Sequence, residues 1–131
     1  MAETSFTLAA AVAAGGALGA LGRYLAMSWF GHRLGTGFPY GTLTVNAAGS
    51  LLLGVFVALG ASRWQIPPEV QAFAAVGVLG AFTTVSTFAL DTATLAGRHR
   101  RLLAGVYVIL SLALSLAGAA LGYYLTRAAI A

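Results

Sequence analysis

The apolar positions fall into four long stretches, at about 5–30, 41–61, 70–96 and 102–126. Short polar runs, GHRLGTGFP, SRWQIPPE and GRHRR, separate them. Each stretch reaches the roughly 20 residues that a helix needs to cross a bilayer. The pattern predicts an all-α membrane protein of four transmembrane helices, in which residues 1–131 make one domain with no tail large enough for a core of its own. The first stretch is too long and glycine-rich for a secretory leader, and more membrane follows it within a few residues, so it is expected to be retained.

The third stretch departs from this pattern. In GVLGAFTTVSTFALD, residues 77–91, it carries Gly77 and Gly80, then hydroxyls at Thr83, Thr84, Ser86 and Thr87, then Asp91. Hydroxyls this close in sequence would point in most directions from a regular helix, including toward lipid. Ser and Thr compete for local backbone bonds, and the glycines lower helix preference, so a break near residues 80–84 is expected. At membrane depth a break is tolerated only where the freed backbone is buried or lines a cavity. Freed carbonyls are ligands for a hard cation, and freed N–H groups and hydroxyls are donors to an anion.

The other helices add polar groups at helical spacing. Asn46 and Ser50 are four apart and share a face of the second helix; taken alone, an asparagine in hydrocarbon is either glue between helices or part of a path. Tyr107, Ser111 and Ser115 form a ladder of hydroxyls on the fourth helix, with Gly118 and Gly122 slightly round the same side. Gly15, Gly19 and Gly22 in the first helix allow another backbone to come close. Arg23 follows them, either reaching the interface or standing at a pore mouth. Asp91 is expected to pair with Arg98 or to be solvated, and His32 and His99 to be solvated in loops.

Composition narrows the function. Of 131 residues 60% are hydrophobic and 8% charged, against about 25% charged in a soluble domain. The absence of cysteine removes disulfides, thiol catalysis and thiolate metal sites. The basic residues are all arginine, spread over loops and ends, which favours membrane anchoring over nucleic acid. No nucleophile, base and orienting group can be assembled within the membrane, so an enzyme is not expected.

GGALGALGRY, GTLTVNAAGS and GVLGAFTTVSTFALD resemble, in order and spacing, the three signature stretches of the Fluc/CrcB fluoride channels, a likeness that covers nearly the whole chain. The resemblance implies an antiparallel, dual-topology homodimer in the cell membrane, with two paths that passively export fluoride and relieve its toxicity. It implies that Asn46, Phe88, Tyr107, Ser111 and Ser115 border the pore, beside the hydroxyls of Thr84, Ser86 and Thr87. It implies a vestibule role for Arg23, and a structural, untransported sodium ion held by the carbonyls of Gly80 and Thr83 from both subunits. Val85 stands where the family usually has the first of two phenylalanines, so the aromatic pair is halved.

A proton-coupled exporter of the small multidrug type has a similar four-helix dimer architecture, but it wants a carboxylate inside the first helix, and Glu3 lies at its very end. Orientation is less one-sided. Arg63 and Arg127 share a side with the N-terminus, opposite Arg33, Arg98, Arg100 and Arg101, a bias toward external termini; the resemblance implies both orientations.

Overall fold

The computed structural model describes residues 2–61 and 66–130, with the side chains of Ala2 and Glu3 left aside. Arg63, which enters the charge comparison, lies outside the described residues. The first helix is α1 (Ala2–Leu34) and the second α2 (Tyr40–Gly60). The third span is assembled from α3 (Pro68–Gln71), a π-helical stretch (Ala72–Leu79), α4 (Gly80–Phe82) and α5 (Val85–Gly97), and the fourth is α6 (Arg101–Ala129). Each span is long and apolar enough to cross a membrane. The helices run a few residues past the apolar stretches, because the polar ends continue the helix until a stop signal. Gly35, with φ of 76°, ends α1 in the left-handed conformation that favours glycine, and Pro39 precedes α2.

The two halves of the third span pack on different neighbours. Its π-helical stretch and α4 lie chiefly against α1, whereas α5 lies against α6, which is itself packed along α2. The chain therefore changes partner at the break. Glycine makes both main contacts possible. A methyl added at Gly15 would collide with the carbonyl oxygen of Phe73, and one at Gly19 with that of Val78. On the other side, Gly118 and Gly122 of α6 admit the α2 backbone at Ala47 and Leu51. The spacing of small residues thus does what the sequence suggested.

The break falls within the expected residues 80–84, confined to their last two. Gly80 sits inside a helical turn, and the Thr83 N–H still donates to the Leu79 carbonyl at 3.0 Å. Only Thr83 (φ −80°, ψ 159°) and Thr84 (φ −152°, ψ 117°) are extended. Glycine does not break the helix here; the competing hydroxyls do. The Thr84 side chain caps α5 by accepting the Thr87 N–H at 3.2 Å. The π-helical stretch just before the break has no counterpart in the sequence reading. Its wider turns displace carbonyls from the helix axis, and those of Phe73 and Val78 fill the space left by the α1 glycines.

Gly19→Ala is expected to lower stability by about 1–3 kcal/mol through overpacking, seen as a lower melting temperature of the detergent-solubilised protein. Gly16→Ala, where an added methyl meets nothing within 4 Å, should leave the midpoint unchanged or slightly higher.

Candidate functional site

Two extended residues in hydrocarbon leave backbone groups that must find partners. Asn46, half-buried on α2, meets Thr84 with both ends of its amide. Its Nδ2 donates to the Thr84 carbonyl at 3.0 Å, and its Oδ1 accepts the Thr84 N–H at 2.7 Å. The side chain thus pairs with Thr84 as a neighbouring strand would. From the other side, Arg23 Nη1 donates to the Thr83 carbonyl at 3.3 Å. Arg23 therefore runs toward the break rather than to the end of its helix. Thr84 Oγ1 also donates to Thr87 Oγ1 at 3.0 Å and lies 3.2 Å from Ser86 Oγ, which joins the three hydroxyls at the start of α5.

The break borders a cavity of about 380 Å³. It is lined by Asn46 and Ser50 from α2, Gly80, Thr83, Thr84, Val85 and Phe88 from the third span, and Ser111 and Ser115 from α6, with apolar neighbours between them. None of its lining residues is charged. Ser111 is 6% exposed, and its Oγ is a buried polar atom without a hydrogen-bond partner among the described residues. The start of α5 faces the same space, and the positive end of a helix dipole favours an anion there. Phe82, by contrast, sits near Gly22 and Gly49 and does not line the cavity.

Tyr107 ends the hydroxyl ladder in a different setting. It is fully buried, with its ring 5.4 Å from Phe88 and edge-on to Phe38 at 5.6 Å. Its hydroxyl donates to Asp91 Oδ2 at 3.4 Å, and Thr42 Oγ1 donates to the same oxygen at 2.6 Å. This corrects the expectation for Asp91, whose carboxylate is held by two hydroxyls instead of pairing with Arg98 or standing in solvent. The sequence neighbourhood pointed to Arg98, whereas the partner that matters is 49 residues away. A second cavity, of about 180 Å³, contains Thr42, Asp91 and Arg98 toward the α1–α2 loop. Thr42 went unnoticed in the sequence, although it extends the face of Asn46 and Ser50 by one more step of four.

A sequence profile described as "CrcB-like protein, Camphor Resistance (CrcB)" matches residues 10–123. The chain is 51% identical over 121 residues to a protein of Rhodospirillum centenum named fluoride-specific ion channel FluC, covering 92% of this chain and 96% of that one. It is 46% identical over 122 residues to the fluoride-specific ion channel FluC 1 of Nitrobacter hamburgensis, covering 93% and 97%. A fluoride-specific ion channel FluC of Agrobacterium fabrum is 43% identical over 118 residues, covering 90% and 94%.

Thr42→Val and Asp91→Ala each break the same buried contact and should each cost about 1–3 kcal/mol. The double variant is expected to cost clearly less than the sum, because its second change removes a contact already lost. A chemical or thermal unfolding cycle measures this, and strict additivity would show that the 2.6 Å contact contributes nothing.

Proposed function

The chain belongs to the CrcB-like family, and from that premise we propose that it is a fluoride-selective channel that lets fluoride leave the cytoplasm passively. It is a multi-pass membrane protein and not an enzyme, in keeping with relatives named as ion channels. The observation that carries the proposal is the uncharged cavity at the break, whose otherwise apolar lining carries the Asn46 amide, the hydroxyls of Ser50, Thr83, Thr84, Ser111 and Ser115, and the Phe88 ring. Fluoride is small and tightly hydrated, so a pore must replace water with donors; a full opposite charge would hold the ion too strongly for it to leave. The Asn46 amide and the hydroxyls of Ser111 and Ser115, which line the cavity, are donors of this kind; those of Thr84, Ser86 and Thr87 stand together at the start of α5, where Thr84 Oγ1 donates to Thr87 Oγ1. Phe88 adds the electropositive edge of its ring, and Tyr107 continues the line toward Thr42 and Asp91. Arg23 contributes positive potential from behind the break, as a vestibule residue. In the cell membrane such a pore would release fluoride that entered as the neutral acid and dissociated inside.

The working unit in this reading is an antiparallel homodimer. Gly80 and Val85, at the cavity rim, are exposed in the single chain, as a surface awaiting a second copy would be. The same unit would hold a structural sodium ion between the Gly80 and Thr83 carbonyls of both copies. The chain's residues fit that role. In an unbroken helix the Gly80 carbonyl would accept the Thr84 N–H, but that N–H is directed to Asn46. The Thr83 carbonyl takes Arg23 on one lone pair and keeps the other. Bound there, the cation would neutralise carbonyl dipoles left without helical donors.

Purified protein in liposomes should release fluoride along its gradient, with chloride retained and with no dependence on an imposed proton gradient. Equal chloride release would exclude selectivity, and efflux that follows the proton gradient would point to exchange. Phe88→Ile should abolish most of the flux. Val85→Phe restores the second ring and should leave flux equal or higher by roughly tenfold at most, the value of an aromatic contact of about 0.5–1.5 kcal/mol. Normal flux in Phe88→Ile would move the aromatic contact elsewhere.

A further inference from the structure

We infer that Asn46 is a positioning residue, which opens the Gly80 carbonyl by taking the Thr84 N–H away from it, so that the pore side of the break and its cation side are coupled through one hydrogen. In a continuous helix each N–H donates to the carbonyl four residues back, which pairs Thr84 with Gly80. The helical pattern holds up to Thr83, whose N–H still reaches Leu79. It fails at the next residue, where the N–H donates to Asn46 Oδ1 at 2.7 Å. The diversion and the loss of the Gly80 partner are therefore one event.

Asn46 can win this competition because it offers two bonds where the helix offers one. While its oxygen accepts the N–H, its Nδ2 donates to the Thr84 carbonyl at 3.0 Å. The extended conformation also lets Thr84 Oγ1 cap α5. In a dry setting an unmatched backbone group costs several kcal/mol, so the arrangement is stable only if the released Gly80 carbonyl finds another partner. A hard cation is such a partner. That the oxygen takes a cation rests on the reading above; that Asn46 releases it does not.

Asn46 keeps one Nδ2 hydrogen for an ion in the cavity, which it helps to line. Removing it should therefore alter more than the donor count of the pore. Without the side chain, Thr84 is expected to return to helical geometry, with its N–H on Gly80. The cation site would close even though neither of its own ligands has changed.

The test compares wild type, Asn46→Ala, Asn46→Asp and Tyr107→Phe, as full chains in lipid nanodiscs with threonine labelled for NMR. The backbone shifts and amide exchange of Thr84 are read together with the rise in melting temperature on replacing N-methylglucamine by sodium. In wild type Thr84 should be extended and its amide protected. In Asn46→Ala its shifts should become helical and the sodium-dependent rise should disappear. Tyr107→Phe should lower fluoride flux while leaving the Thr84 shifts and the sodium response as in wild type. Asn46→Asp still matches both Thr84 groups, as a stronger, charge-assisted acceptor when ionised and as acceptor plus O–H donor when protonated, so Thr84 should stay extended; this variant decides the matter if Asn46→Ala does not fold. An extended Thr84 with an intact sodium response in Asn46→Ala overturns the inference, as does a helical Thr84 in Asn46→Asp. A wild type without fluoride flux or without any sodium response overturns the corresponding part of the proposed function, and the Thr84 shifts still judge Asn46.

Discussion

A backbone polar group in hydrocarbon must have a partner within the protein, and everything at the centre of this molecule follows from how the partners of Thr83 and Thr84 are supplied. Two extended residues in the middle of a span that runs from Pro68 to Gly97 would be prohibitively costly if they faced lipid. Here the α2 asparagine and the α1 arginine reach in to meet them. The break is therefore as much a property of the first and second helices as of the third. It also falls where the third span leaves α1 and joins α6, so each half is fixed by its own neighbour and only the junction needs polar support.

This division explains the placement of the glycines. On one side, Gly15 and Gly19 bring α1 against the π-helical stretch; on the other, Gly118 and Gly122 bring α6 against α2. Lipid is as apolar as the helix surfaces, so close backbone packing has to supply what water-driven burial supplies in a soluble protein. The two close-packed pairs leave a gap between them at mid-depth. The cavity, mostly apolar with a few amide and hydroxyl groups, lies in that gap, with α5 starting at its wall and Ser111 and Ser115 in its lining.

Much of this was legible in the sequence. Four apolar stretches gave the spans, and glycines three and four apart marked close contacts. A run of hydroxyls that no lipid-facing helix could accommodate marked the break, while Asn46, Ser111 and Ser115 were legible as polar groups at helical spacing. What stayed hidden depends on contacts distant in sequence. The π-helical stretch answers to glycines on another helix, and nothing in AFAAVGVL itself demands a wider turn. Gly77 and Gly80 were read beside the hydroxyls as weakening the helix, but Gly80 stays in a helical turn and the break was decided by what Thr84 could bond. Asp91 was expected to pair with Arg98 or to be solvated for the same reason: its strong partner, Thr42, lies at the start of α2. Thr42, Asn46 and Ser50 follow one another at steps of four, and reading that face to its end would have found the missing residue.

The proposed function requires this uncharged gap to pass fluoride and hold back chloride. The most direct measurement is the reversal potential of the current through purified protein in a planar bilayer, with fluoride on one side and an equal concentration of chloride on the other. The potential should lie far from zero, with the sign set by fluoride, and should not move when the pH of one chamber is changed. A potential near zero, or one that follows the proton gradient, would contradict it.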